Sequence, residues 1–428
     1  MRLRLNCIIV LACLASLAPA TRAQLLPGAL PGALPGLSVP VPGSLAPTLD
    51  RATAPLQRLK LRELLRANPR ELDSDRDGQP VIRGELLAIA PTPAALEAAA
   101  ARGFGILRDT TMEALGLRVV VLSAPAGQST QRALRVLRRI DPDGHYDFNH
   151  LYLPSDAGAL SRGEPGDVAS PAKSVTAIRV GLVDSGVDAS HPALSGVRIQ
   201  TWGCDGASKP ERHGTAVASL LAGQHGGSVP THSQLFAADI YCGKPTGGAV
   251  TELGKAFAWL ARERVAVINV SLVGPPNALL EQLVAAMVAR GHVLVAAVGN
   301  EGPAAPPRYP AAYPGVIGVT ALGLRDNLLP EAGSGAHVDF AAPGAGLFAA
   351  APGMQWWAVR GTSFAAPLVA RFAAEAGDQP VPLLPATVEQ RLARVARDAG
   401  ARGRDRRYGF GVLAEDARSA WPAPLNKP

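Results

Sequence analysis

Val180-Gly181-Leu182-Val183-Asp184-Ser185-Gly186 is a run of apolar residues that ends on a carboxylate and a glycine. A short unbroken apolar run reads as a strand buried on both faces, here Ile178–Val183. Such strands belong to parallel sheets covered by helices on both sides. In open sheets of that kind, sites form beyond the carboxyl ends of the strands. Asp184 alone is also an ordinary turn residue beside a glycine. Outward from this stretch the pattern repeats. Strands are expected at Gln234–Tyr241, Ala266–Leu272, Val293–Val298 and Gly315–Ala321. Helices are expected from Gly214, over 249–263, over Ala278–Arg290, after Ser363 and at 386–399. The expected fold class for residues 177–420 is α/β: a doubly wound, mostly parallel sheet with helices on both faces.

The preceding segment, 56–153, has a different rhythm. A helix over Leu56–Ala67 leads to strand Val81–Ala90, helix Pro93–Arg102 and strands Gly105–Asp109 and Leu117–Ala124. Helix Ser129–Ile140 and strand Tyr146–Leu153 follow. The order is βαββαβ, a small ferredoxin-like plan. Asp73-Ser74-Asp75-Arg76-Asp77-Gly78 begins like a calcium loop. Its twelfth position is Gly84, where a bidentate Glu is needed, so we read a turn.

The flanks carry no core. Arg2 and Arg4, the apolar stretch Asn6–Leu17 and the small-residue exits Ala18-Pro19-Ala20 and Thr21-Arg22-Ala23 read as a signal peptide over 1–23. The expected location is secreted or periplasmic. Val10-Leu11-Ala12-Cys13 faintly resembles a lipoprotein signal and keeps a lipid-anchored alternative through Cys13. No stretch is long and apolar enough for a transmembrane segment. Residues 24–55 are a Pro/Gly-rich linker, and 154–176 are a second linker.

The chain has 428 residues, 47% of them hydrophobic, with 45 Gly and 38 Pro, which suits a large core with many turns. Its net charge of +7 comes from scattered arginines. The clusters at 132–139 and 402–407 lack interleaved aromatics, so they read as solvated faces and no nucleic-acid partner is expected. Cys7 and Cys13 leave with the signal. The remaining Cys204 and Cys242, in an exported chain, point to one disulfide. Two cysteines are a poor case for zinc, so no metal ligands are assigned.

Three more stretches carry chemistry. His213-Gly214-Thr215-Ala216-Val217-Ala218 places a histidine at the mouth of a helix of small residues. Val298-Gly299-Asn300-Glu301-Gly302 ends a buried strand on an amide. Gly361-Thr362-Ser363-Phe364-Ala365-Ala366-Pro367 places a serine where an irregular segment ending at Arg360 meets an Ala-rich helix, Phe364 to Ala374. There Ser363 could be an N-cap, with Pro367 in the first turn. Each stretch has an unremarkable reading alone. His191, His225, His232 and His292 keep theirs as packed or surface histidines. Together, Asp184, His213, Ser363 and Asn300 make a serine-nucleophile site. Ser363 attacks a carbonyl, His213 moves the proton, Asp184 orients the imidazole, and Asn300 with the Ser363 N–H binds the oxyanion.

At this point the four stretches resemble those of subtilisin-like serine proteases, the subtilase family, whose chain order is Asp, His, Ser. The similarity covers about residues 177–415. It implies a serine endopeptidase acting on protein or peptide substrates. It also implies that Ser271, Leu272 and Val273 line the cleft, with Val273 where the family usually has Gly. Ala297, Val298 and Gly299 would wall the primary specificity pocket, where no acidic residue demands a basic side chain. Ala216 stands where the family often has a second His. Asn269, Asp239 and Tyr408-Gly409-Phe410-Gly411 are read as structural. The resemblance further implies that 56–153 is a prodomain that assists folding and inhibits through strand Tyr146–Leu153, with processing inside the 154–176 linker. No cofactor is required for catalysis. Structural calcium is common in the family, but no ligands can be named. We expect a monomer. The competing reading is a catalytically silent or narrowly dedicated binding or chaperone module of the same architecture.

Overall fold

The computed structural model describes residues 59–155, 161–162, 177–224, 232–244, 246–376 and 382–418. The expected signal peptide, the 24–55 linker, most of the 154–176 linker and His225 lie outside the described residues. All described residues fall in one contact unit, Leu45–Pro428.

The central strand Arg179–Asp184 lies in a seven-stranded sheet. The order is Phe340–Pro343, Val316–Leu322, Val293–Ala297, Val267–Val270, Arg179–Asp184, Gln234–Asp239 and Arg198–Trp202. Every pairing in it is parallel. Val180, Leu182, Val267, Ile268, Val293, Leu294 and Val295 are fully buried, as unbroken apolar runs require when helices cover both faces. One face packs on the Arg212–Ala222 and Thr362–Ala376 helices, the other on Val250–Arg262 and Ala278–Ala289. The chain leaves Arg179–Asp184 toward one edge and returns to its other side at Val267–Val270, which makes that point the switch of the sheet. The fold is α/β, a doubly wound parallel sheet with helices on both faces.

The antiparallel sheet built on residues 80–154 also follows the expected order. Pro80–Ile89 lies between His145–Pro154 and Leu117–Ser123, and Gly105–Met112 forms the far edge, all antiparallel. Helices Pro93–Ala100 and Thr130–Ile140 cover one face and are capped by the Thr92 and Ser129 side chains. Asp75 Oδ1 accepts from the N–H groups of Asp77 (2.9 Å) and Gln79 (2.8 Å), so Asp75–Gly78 is a turn, whereas Asp73 and Ser74 belong to a short strand, Leu72–Ser74, paired with the start of Pro80–Ile89.

Several details differ from the expectations. Gln355–Arg360 is a strand, hairpinned with Ala345–Ala351, where an irregular segment was expected. The following helix begins at Thr362, so Ser363 lies inside its first turn and is not its N-cap; Pro367 lies in the helix interior. Edge strands Arg198–Trp202 and Phe340–Pro343 had not been expected. Within the 402–407 cluster, Arg404 turns inward to Asp339 Oδ1 at 2.7 Å and lies over the Phe410 ring.

Burial holds the imidazoles of His191, His292 and His337 below the ordinary histidine pKa; Arg290 and Arg406 add to this at His292 and His337. The unfolded chain therefore binds their protons first. Stability is fully present above the ordinary value of 6.5 and is lost as pH falls through the lower folded values. We expect the melting temperature to drop as pH falls from about 6.5 to about 5, and His292→Gln to weaken that slope. A melting temperature flat across the window would contradict the assignment.

Candidate active site

Asp184 ends the central strand and is fully buried. Its Oδ1 accepts from the Ser185 N–H at 2.7 Å and lies 2.7 Å from His213 Nδ1, which donates to it. His213 is the second residue of helix Arg212–Ala222. The helix approaches this closely because Gly214 has no side chain: a Cβ there would meet the Ser185 carbonyl oxygen at 2.1 Å. The Gly214 N–H is held by Ser185 Oγ at 2.9 Å. Beside the histidine, Glu211 is kept above the ordinary glutamate pKa by burial, with the charges of Asp239 and Asp184 adding to it.

The His213 ring packs 5.6 Å from the ring of Phe364, the neighbour of Ser363. Pro367 cannot donate to the carbonyl four residues back. That carbonyl belongs to Ser363, and it accepts instead from Ser271 Oγ at 2.8 Å. Asn269 Nδ2 in turn supports Ser271 Oγ at 2.9 Å. The interior proline and the Asn269–Ser271 pair thus set the first turn that carries Ser363.

What fills the site is the chain itself. The carbonyl oxygen of Ser155 accepts from Asn300 Nδ2 at 2.7 Å and from the Ser363 N–H at 3.1 Å. Ser363 Oγ contacts the same carbonyl and lies 3.1 Å from the Ser271 carbonyl oxygen. Asn300 is oriented from the other end, its Oδ1 accepting from the Thr362 N–H at 3.1 Å. The Ser155 N–H donates to the Ser271 carbonyl at 3.1 Å.

Upstream of Ser155, the end of strand His145–Pro154 lies between two short strands. Leu272–Val273 pairs with it on one side (Leu272 opposite Pro154, Val273 opposite Leu153). Gly248–Ala249 pairs on the other (Gly248 opposite Tyr152, Ala249 opposite Leu151). Tyr152 is fully buried and donates its hydroxyl to the Pro275 carbonyl at 2.8 Å. A Cβ on Gly274 would come within 2.5 Å of its ring. Of these residues, Leu272 and Val273 are expected from the sequence, and Gly248, Ala249, Gly274 and Ser155 are not. A glycine pair at Gly247-Gly248 was the available signal for a close backbone approach.

Ala297 and Val298 are buried in the two main core clusters. Gly299 donates to Thr362 Oγ1 at 3.3 Å, and that hydroxyl also meets Ser155 Oγ at 2.9 Å. A Cβ on Gly299 would meet Glu301 Oε2 at 2.5 Å and Arg308 Cγ at 3.0 Å. An acid is therefore close after all, but Arg308 pairs with it at 3.3 Å.

Cys204 and Cys242 are joined in a disulfide with Cα atoms 5.2 Å apart. It ties the loop ahead of the His213 helix to the loop after strand Gln234–Asp239. Both loops hang on Asp239, whose oxygens accept from the Cys242 and Lys209 N–H groups at 2.9 and 3.1 Å. Cys204, Asp239 and Cys242 are the one grouping of potential metal ligands among the described residues, and its sulfurs are bonded to each other. Replacing both cysteines by serine should cost about 2–4 kcal/mol of stability. A thiol titration of the folded, unreduced protein that finds these two thiols free would contradict the bridge.

A buried acid on a histidine, a hydroxyl in the first turn of a helix and two donors converging on one carbonyl are thus gathered at one end of a parallel α/β sheet. The family model described as the Subtilase family matches residues 176–411, and the chain belongs to that family. It is 30% identical over 270 residues to subtilisin amylosacchariticus from Bacillus subtilis subsp. amylosacchariticus, covering 59% of this chain and 70% of that one. It is 33% identical over 210 residues to a subtilisin from Bacillus pumilus, covering 46% and 75%. Among solved structures, fervidolysin from Fervidobacterium pennivorans, a keratinolytic enzyme related to subtilisin, superposes with a TM-score of 0.64 at 18% identity. That likeness covers 82% of this chain and 63% of fervidolysin, and it speaks to the fold.

Proposed function

We propose that the protein is an exported serine endopeptidase, made as a precursor that cuts itself after Ser155. One observation carries the reading: the Ser155 carbonyl is gripped by Asn300 Nδ2 and the Ser363 N–H, with Ser363 Oγ against it. Ser363 Oγ attacks the carbonyl carbon while His213 Nε2 takes its proton. Charge collects on the carbonyl oxygen between the two donors, where it is most strongly stabilised. Asp184 fixes the imidazole tautomer and stabilises the imidazolium. When the C–N bond to Asp156 breaks, His213 delivers the proton to the leaving amine. Water then hydrolyses the Ser363 ester by the reverse path, with His213 as base.

The segment 56–153 acts here as prodomain. After the cut its strand stays added between Gly248–Ala249 and Leu272–Val273 and inhibits as a product, by β-augmentation. Foreign substrates take the same extended form, and Ser271, Leu272 and Val273 receive their backbone. Ala297, Val298 and Gly299 wall the pocket for the residue before the cut. Among the described residues no helix is long and apolar enough to cross a membrane.

The test is a peptide of residues 146–160 given to the active protein, with products read by mass spectrometry. Cleavage after Ser155 is expected. Asn300→Leu should lower turnover about 10²–10³-fold with KM scarcely moved, the effect known for the matching amide of subtilisin. An Asn300→Leu enzyme with unchanged turnover would contradict the role of Asn300.

A further inference from the structure

We propose that the outer edge of strand Gln355–Arg360 is a second part of the substrate cleft, which takes the sixth and seventh residues beyond the cut as an added antiparallel strand. The inference rests on the reading of Ser155 as the residue cut. In the structure the edge is occupied by this chain's own Ser161–Arg162, with Arg162 opposite Trp357 and Ser161 opposite Ala358. These are the sixth and seventh residues after Ser155. Along its other side Gln355–Arg360 pairs with Ala345–Ala351, so the added segment is the edge strand of a three-stranded sheet.

The chain that passes through the site therefore engages it by strand addition twice. Before the cut it lies between Gly248–Ala249 and Leu272–Val273; beyond the cut it lies on Gln355–Arg360. The second strand is held in place relative to the chemistry. It runs through Gly361, whose N–H is bound to the Gly344 carbonyl at 2.9 Å, directly into Thr362 and Ser363. Trp357 on it is stacked by the guanidinium of Arg212 at 4.2 Å, and Arg212 precedes His213. A strand edge presents backbone N–H and C=O groups, which recognise extended polypeptide without regard to side chain. The site would thus favour long, extended, proline-free chains on the leaving side. It would disfavour bonds near a carboxyl terminus, where no such segment exists.

The experiment compares three synthetic peptides with the active protease obtained from the full chain. One spans residues 148–158 and stops short of the edge strand. One spans 148–164. The third is the 148–164 peptide N-methylated at Ser161 and Arg162, which keeps its length and side chains but cannot donate from either residue. Cleavage after Ser155 is followed by mass spectrometry, and kcat/KM is measured for each. The long peptide should exceed the short one by about tenfold, the scale of one or two net hydrogen bonds, and N-methylation should remove most of that gain. Equal values for long and short peptides, both cut after Ser155, would overturn this inference and leave the proposed function standing. A gain that survives N-methylation would overturn it as well. Failure of every peptide to be cut after Ser155 would sink both readings.

Discussion

Ser363→Ala should fold normally and lose hydrolysis of casein by about 10⁶-fold in turnover, the magnitude established for the nucleophile of subtilisin itself. The size follows from what the hydroxyl does. Asn300 and the Ser363 N–H still converge on a carbonyl in the variant, so substrate binding and part of the oxyanion stabilisation survive. What disappears is the covalent path, and His213 is left with no nucleophile to activate. Folding should not suffer. Ser363 is fully buried, and the change removes one oxygen from a helix whose carbonyl at this position is held by Ser271 Oγ. The melting temperature should therefore move little while activity vanishes. Residual activity within tenfold of the parent would rule Ser363 out as the nucleophile.

Asp184→Asn should reduce turnover by about 10⁴-fold, with KM little changed. The carboxylate is completely buried, and its Oδ1 faces His213 Nδ1 at 2.7 Å. That contact places the proton of neutral His213 on Nδ1 and the basic lone pair on Nε2. An amide of the same shape is uncharged and offers a donor as readily as an acceptor, so the imidazole can settle in the wrong tautomer. It also loses the negative charge that stabilises the imidazolium. A purely structural aspartate would show a lowered melting temperature and a turnover that recovers when folded protein alone is counted. Turnover within tenfold of the parent, in folded protein, would contradict the orienting role.

Much of this was legible because buried parallel strands announce themselves. Val180–Val183 and Val293–Val298 are unbroken apolar runs, and polar residues wait at their carboxyl ends. The strands that escaped notice lack that pattern for physical reasons. Arg198–Trp202 is a half-exposed edge, so its residues need not be apolar. Ala345–Ala351 is dominated by alanine, which carries little strand signal. Pro367 was misplaced because its effect is repaired elsewhere, by a hydroxyl from Ser271 nearly a hundred residues away in sequence. Ser155 was legible only as part of a processing region. Its place at the site is set by pairing with Gly248–Ala249 and Leu272–Val273, and nothing local to a proline-serine pair encodes that. The four chemical residues were each ambiguous alone and were read from their company. Their distances, and the carbonyl on which Ser363 and Asn300 converge, required the fold.

The most direct measurement is the intact mass of the purified full chain and of its Ser363→Ala variant after identical incubation. The account predicts that the parent separates into two pieces joined at Ser155 and Asp156, and that the variant stays whole at that bond. A variant cut there at the parent's rate, in pure form, would contradict the central claim.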